Sequence, residues 1–232
     1  MFKEQKVLQI FNTIAPKYDL VNTILSLGCH HYWRKSAIGA IHAKNGGQLL
    51  DLCCGTGMFT LELAKRSVPN GKVTGLDFSE PMLAIATGRL RKYLDNNQVE
   101  LVRGDALALP FRDRQFDGIT IGYGLRNVAD IRKFLSEVYR VLKPGGSVVS
   151  LEMGRPCTPV LRHLYFLYLT YWIPLAGKLL ADAYESYCYL HDSIMDFPLP
   201  HEIIRLFGEI GFRQANFKRL TGGIAILYQA DK

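Results

Sequence analysis

Three observations predict an α/β fold, with a mostly parallel sheet of seven strands that ends in an antiparallel hairpin. From residue 48 onward, apolar strands and amphipathic helices alternate in a βαβα order. The first strand runs into a glycine turn, Leu49-Leu-Asp-Leu-Cys-Cys-Gly-Thr-Gly57, and an acid, Asp77, closes the next strand twenty residues after Gly57. The last 32 residues change pattern to a helix and two strands around Thr221-Gly222-Gly223. Parallel strands need crossovers, so a terminal hairpin implies one antiparallel strand in an otherwise parallel sheet.

Each element follows from local signals. Gln48–Cys53 is a short apolar strand and Met58–Arg66 has helical spacing. Lys72–Asp77 is the second strand. Ser79 then serves as N-cap of a helix that carries Pro81 in its first turn. Val99–Arg103 alternates as the third strand and ends at Gly104-Asp105; Phe116–Gly122 is the fourth. Ile131–Leu142 is an amphipathic helix, stopped by Lys143-Pro144-Gly145-Gly146, and Ser147–Glu152 is the fifth strand. Glu202–Ile210 is a helix ended by Gly211, and Arg213–Leu220 and Ile224–Gln229 form the hairpin. The whole chain, 1–232, reads as one domain with two additions: a helical N-terminal cap over 1–45 and a helical, aromatic insertion over 157–195.

Within that insertion, Leu164–Gly177 carries no charge and holds five aromatic residues. It is too short to span a bilayer. It reads as a helix packed on the core, or as an apolar cover over a greasy substrate or a membrane-surface contact. The net charge of +7 admits nucleic acid, an anionic membrane or an anionic ligand. The basic residues are scattered without a nucleic-acid motif, so nucleic acid is not expected and an anionic membrane surface is. Five unevenly spaced cysteines and no secretory leader point to a reducing cytosol. Cys53 and Cys54 read as small core residues. No zinc spacing occurs, and no metal is expected.

The turn departs from the dinucleotide fingerprint, because Thr60 stands where a third glycine belongs. Asp51, Asp77 and Asp105 fall at the carboxyl ends of adjacent strands, where open α/β sheets bind ligands. This set suits S-adenosylmethionine better than NAD. Its amino-acid end carries an ammonium that carboxylates near the turn can hold, and it has no pyrophosphate to cradle. Asp77 would take the ribose hydroxyls, and Asp105 with the Ala106 amide the adenine. Gly55 and Gly57 would let the backbone approach the ligand. A nicotinamide-dependent oxidoreductase is the competing reading, disfavoured by Thr60 and the hairpin.

Further stretches carry a resemblance: Phe11-Asn-Thr-Ile-Ala-Pro-Lys-Tyr-Asp-Leu20, Leu25-Ser-Leu-Gly-Cys-His-His-Tyr-Trp-Arg34, Gly122-Tyr-Gly-Leu-Arg-Asn-Val128, Glu185-Ser-Tyr-Cys-Tyr-Leu190 and Leu220-Thr-Gly-Gly-Ile224. From end to end the chain resembles the ubiquinone/menaquinone biosynthesis C-methyltransferases, which are class I, Rossmann-like S-adenosylmethionine-dependent enzymes. The resemblance implies methyl transfer to a ring carbon of a polyprenylated quinol, most simply demethylmenaquinol. A ubiquinone-precursor benzoquinol or a phylloquinone precursor is the alternative, and another lipophilic acceptor a further one. From a different class comes a non-catalytic cofactor-binding scaffold of quinone synthesis.

Carried over by position, the cofactor contacts are Thr56, Asp77, Asp105, Ala106 and Gly122. Met58 departs from the pattern, where an acid is usual after Gly-Thr-Gly, and Gly122 replaces a frequent serine. Ring carbon becomes nucleophilic when a neighbouring quinol hydroxyl loses its proton, so the site must favour an oxyanion. Arg126 is expected to supply positive charge and Asn127 to orient the oxygen. Tyr18, His30, Tyr187 and His191 are the expected substrate contacts and candidate proton acceptors. The expected location is cytoplasmic, peripheral at the inner face of the membrane, with pairing of two copies left open.

Overall fold

The computed structural model describes residues 3–42, 46–67, 71–181 and 184–232. Three helices come first: α1 (Lys3–Ile14), α2 (Tyr18–Leu25) and α3 (Cys29–Ala40). The alternating body follows as β1 (Gln48–Leu52), α4 (Met58–Ser67), β2 (Lys72–Asp77), α5 (Glu80–Asp95), β3 (Val99–Arg103), β4 (Phe116–Gly122), α6 (Ile131–Val141) and β5 (Leu142–Met153). The insertion contains α7 (Pro159–Leu167), a π-helical segment over Tyr168–Trp172, α8 (Ile173–Ala181) and α9 (Tyr184–Asp196). The chain closes with α10 (Pro200–Ile210), β6 (Arg213–Leu220) and β7 (Ala225–Asp231). Residues 1–2 and 43–45 of the expected cap, and 182–183 of the insertion, lie outside the described residues.

The strands form one sheet in the order β3-β2-β1-β4-β5-β7-β6. Neighbours from β3 through to β5 are parallel, whereas β7 runs antiparallel to both β5 and β6. Strand order reverses between β1 and β4, which is where such sheets open a crevice at their carboxyl ends. The fifth strand begins five residues before Ser147, because the turn Lys143–Gly146 is itself paired. Gly145 N–H donates to Lys232 O at 2.8 Å, and Lys232 N–H to Gly146 O at 3.0 Å. The chain's last residue therefore extends the ladder over a stretch whose glycines read as a stop.

Apolar side chains fill both faces of the sheet. On one face α6 and α10 bury Phe134, Leu135, Val138, Ile203 and Phe207. On the other, α3, α4 and α5 bury Trp33, Ala37, Leu63, Ala86 and Leu90. A third cluster joins Ile10, Ile14 and Val21 of the N-terminal helices to Tyr165, Leu169 and Tyr187 of the insertion. The two additions thus pack on each other and make a roof, an arrangement that separates the site from solvent. The roof's winding widens at Tyr168–Trp172. Pro174, in the first turn of α8, has no N–H to offer the carbonyl of Thr170, so a regular α-helical bond is missing at that point.

Candidate active site

The crevice holds two cavities that meet. The smaller, of about 270 Å³, is bordered by Asp77, Asp105 and Ala106 at the strand ends and roofed by Val7 and Phe11 of α1. The larger, of about 470 Å³, lies beneath α2, α3 and α7. Tyr18, Cys53, Gly55, Gly122 and Tyr123 line both. β1 ends at Leu52, and Cys53 turns with φ +56° into the junction, where it packs against the core as expected and also lines both cavities. Its thiol is raised well above the usual range, chiefly by burial, so it is an inert wall.

Asp77 is buried at the end of β2, and two backbone donors fix it. Gly55 N–H donates to one carboxylate oxygen at 2.8 Å and Ser79 N–H to the other at 2.9 Å. A carboxylate oxygen accepts more than one hydrogen bond, so each keeps a lone pair for a vicinal diol. Asp105 lies beside it, with Oδ1 accepting from Leu107 N–H at 2.8 Å. Gly55 has φ +53° and open space where a Cβ would stand, which leaves its backbone bare toward the ligand. Gly57 is glycine for another reason and lines neither cavity: a Cβ there would lie 3.0 Å from Ala86 Cβ and 3.0 Å from Leu90 Cδ1. Gly122 likewise makes room, for the Phe59 ring, 2.5 Å from its virtual Cβ.

Thr56 is tied to the N-terminal cap. Its hydroxyl donates to Asp19 Oδ1 at 2.8 Å, and Arg89 of α5 bonds both Asp19 and the Thr56 carbonyl. The Ala-Pro-x-Tyr-Asp stretch therefore clamps the glycine turn. Trp33 Nε1–H donates to Thr221 Oγ1 at 2.7 Å, joining α3 to the hairpin loop. Neither Asp19 nor Arg89 is identifiable as a clamp from sequence, because their partners lie 37 and 70 residues apart.

Asp51 lines the larger cavity and accepts from Thr60 Oγ1 at 2.6 Å and Thr120 Oγ1 at 2.9 Å. Thr60, odd for a dinucleotide turn, is here the residue that holds this acid. Burial pushes the Asp51 carboxyl up to about 7, against the two hydroxyl bonds that lower it. The unfolded chain releases this proton near 3.8 and the folded chain near 7, so between those values the folded state binds more protons. Stability should then fall as pH rises through that window, by at most about 4 kcal/mol. Thermal unfolding from about pH 5 to about pH 7 tests this; Asp51→Asn should flatten the slope, and an unchanged slope refutes it.

Arg126 borders the larger cavity, and Glu152 within β5 holds it. Arg126 NH1 donates to Glu152 Oε2 at 2.8 Å and to the Tyr123 carbonyl at 2.8 Å, while Leu125 N–H donates to Glu152 Oε1 at 2.7 Å. Burial alone would lower the guanidinium pKa, but Glu152, with Tyr18 and Tyr189 adding to it, turns the net shift upward. The one cue in the sequence was a lone acid inside an otherwise uncharged strand, Ser147–Met153. Asn127 does not share that cavity. It borders the smaller one, with Nδ2 donating to Tyr123 O at 2.9 Å and Oδ1 accepting from Tyr189 OH at 3.1 Å. The amide expected to orient an acceptor oxygen has both ends engaged here, bracing the loop through Tyr123 and Tyr189.

The four expected acceptor contacts divide. Tyr18 and His30 line the larger cavity. Burial pushes the Tyr18 hydroxyl pKa up, and burial with the adjacent His31 and Arg34 pushes His30 down to about 4, so His30 stands neutral beside Ser26 Oγ at 2.7 Å. Tyr187 and His191 line neither cavity. Tyr187 packs against Gly177 inside the roof, and His191 sits edge-on to Phe166 with Nδ1 3.0 Å from Asp192. Of that motif, Leu190 lines the larger cavity, and Tyr189 bonds Asn127, which borders the smaller one.

The residues fit S-adenosylmethionine: an acid with two remaining lone-pair positions for a ribose, a bare turn, and a second acid beside an apolar slot. The comparisons agree with the geometry. A Desulfitobacterium hafniense demethylmenaquinone methyltransferase is 42% identical over 99% of this chain and 91% of its own length. The Bacillus cytotoxicus protein of the same name is 43% identical over 99% and 97%. Among solved structures, an S-adenosylmethionine-dependent methyltransferase from Aquifex aeolicus superposes with a TM-score of 0.61 at 19% identity, covering 85% of this chain and 88% of that one, which shows the shared fold. The model of the ubiE/COQ5 methyltransferase family matches residues 1–232, and this chain belongs to that family.

Proposed function

We propose that this chain methylates a ring carbon of a polyprenylated quinol, with demethylmenaquinol as its acceptor. The observation that carries the reading is the meeting of a nucleoside-shaped, acid-lined cavity with a larger, mostly apolar one at Gly55, Gly122, Tyr18 and Tyr123. The names of its relatives support the choice of acceptor. S-adenosylmethionine, held by Asp77, Asp105 and the Gly55 turn, supplies an electrophilic methyl group. The chain's task is to activate the acceptor carbon. Arg126, paired with Glu152 in a dry wall, presents directed N–H density toward the developing quinol oxyanion. Because that pair is net neutral, it acts at short range and does not attract anions from afar. His30, with its pKa pushed down to about 4, is a weak base lining the same cavity, so the quinol proton passes to it or to water.

Labelled S-adenosylmethionine supplied with reduced demethylmenaquinol, and separately with the benzoquinol precursor of ubiquinone, tests this. Methyl on the ring carbon of the first is expected. Methyl on oxygen, or transfer to neither quinol, refutes the reading.

The same proposal places the enzyme at a membrane face. Among the described residues no helix is long and apolar enough to cross a bilayer. Leu27 and Leu164 both line the larger cavity and stand 89% and 58% exposed, so its mouth is greasy. Tyr171 and Trp172, each 66% exposed, follow along the same helical run. Together with the charge of +7 this suits an anionic bilayer into which the prenyl tail extends. Leu27→Asp with Trp172→Asp should weaken co-sedimentation with anionic vesicles about 10- to 100-fold, the loss of two buried apolar side chains. Undiminished co-sedimentation would remove this face from the proposal.

A further inference from the structure

We propose that Tyr189 is a positioning residue for methyl transfer: from outside both cavities, its hydroxyl sets the loop that presents Arg126 to the acceptor. This rests on the reading of Arg126 given above and adds a residue behind it. Tyr189 lies on α9 and borders neither cavity. Its hydroxyl is 3.1 Å from Asn127 Oδ1, and Asn127 Nδ2 donates to the Tyr123 carbonyl at 2.9 Å. A carbonyl can only accept, so the amide NH2 must face Tyr123 and the amide oxygen must face Tyr189. Burial pushes the Tyr189 pKa up, so the hydroxyl stays protonated and donates.

The Tyr123 carbonyl is a junction. It accepts from Arg126 NH1 at 2.8 Å as well as from Asn127, so guanidinium and amide share one anchor. Tyr123 holds that carbonyl with φ +60°, a left-handed conformation that is costly for a bulky aromatic residue. Such a turn persists only where its surroundings fix it from several sides. On one side β5 does so. Tyr123 N–H donates to Leu151 O at 2.7 Å, and Glu152 accepts from Arg126 NH1 at 2.8 Å and from Leu125 N–H at 2.7 Å. On the other side stands α9, which reaches the loop through Tyr189.

The same helix is part of the roof over the acceptor cavity. Tyr187 and Ile194 are buried in the roof cluster with Tyr165 and Leu169, and Leu190 lines the larger cavity. Adjacent positions on α9 thus touch the acceptor's space and the loop that carries Arg126. An acceptor seated beneath Leu190 braces α9, and Tyr189 passes that restraint through Asn127 to the Tyr123 turn. Arg126 is then held to its bearing when the acceptor is in place, which is when a fixed N–H direction matters. Lys6 Nζ stands 5.9 Å from the centre of the Tyr189 ring, so α1 supports the ring independently of its hydroxyl.

Tyr189→Phe keeps that ring and removes one oxygen. With reduced demethylmenaquinol, kcat should fall about 10-fold, while the quinol KM and the Kd for S-adenosylmethionine stay within about threefold. Made in an Asn127→Ala background, the same substitution should change kcat less than about twofold, because the relay is already cut. An unchanged kcat, a full second loss in the Asn127→Ala background, or a raised quinol KM with kcat unmoved would overturn the assignment. A parallel fall of kcat, cofactor affinity and Tm, the mark of a merely structural hydroxyl, would overturn it also. Hydrogen exchange gives a readout free of the acceptor. In Tyr189→Phe the Leu125 and Asn127 amides should exchange about threefold to tenfold faster, and equal exchange would again overturn the assignment. If the unaltered chain left demethylmenaquinol unmethylated, the proposed function itself would fail, and exchange at those amides would still decide whether Tyr189 holds the loop.

Discussion

Arg126→Ala should lower turnover about 10²- to 10³-fold while the Kd for S-adenosylmethionine stays within about threefold. Arg126 borders the larger cavity, whereas Asp77 and Asp105 border the other one. The same substitution has a second effect, because it strands Glu152, which is 0% exposed, without its partner. Breaking a buried pair from one side costs about 3–5 kcal/mol. A slow variant could then be a poorly folded one. The pair Arg126→Met with Glu152→Leu separates the two: stability should return and turnover should not. Recovery of turnover in the double variant, or undiminished turnover in the single, would remove Arg126 from the chemistry. Glu152→Leu alone should be the least stable of the set, since it leaves a buried guanidinium uncompensated.

Asp77→Ala should weaken S-adenosylmethionine binding about 10²- to 10³-fold, as read by calorimetry. Two charge-assisted bonds to the ribose disappear together. In addition, the N–H groups of Gly55 and Ser79 lose the acceptor that fixes the glycine turn and the start of α5. Asp77→Asn should recover part of the loss, because its amide oxygen can still accept from one of the two backbone donors. An unaltered Kd in Asp77→Ala would show that the ribose is held elsewhere. Turnover at saturating cofactor should change far less than affinity, the reverse of the Arg126 pattern.

Much of the fold was legible in the order of residues. Lys72–Asp77, Val99–Arg103, Phe116–Gly122 and Arg213–Leu220 are strands with the bounds their apolar patterns and flanking turns predict. The Ser79 cap accepts from Met82 N–H as its type requires. What depends on distant pairings was not legible. The Asp19–Thr56–Arg89 clamp, the bond from Tyr189 to Asn127 and the Arg126–Glu152 pair join residues that only the completed sheet brings together.

Tyr187 shows a different limit. It and Tyr189 belong to one motif, but two positions apart on a helix they face nearly opposite ways. Composition could not say which of them bonds Asn127 at the cavity's edge. Gly57 illustrates the same ambiguity, since a glycine for close ligand approach and a glycine for helix packing are written with the same letter.

The clamp at Asp19 also has a thermodynamic side. One carboxylate belongs at once to the roof, through α2, and to the floor, through Thr56 and Arg89. Lifting the roof to exchange a spent cofactor therefore breaks bonds that shape the cradle beneath it. Door and lock share a part, so the free energy that opens one loosens the other, and by reciprocity a ligand that firms the turn also holds the entrance shut.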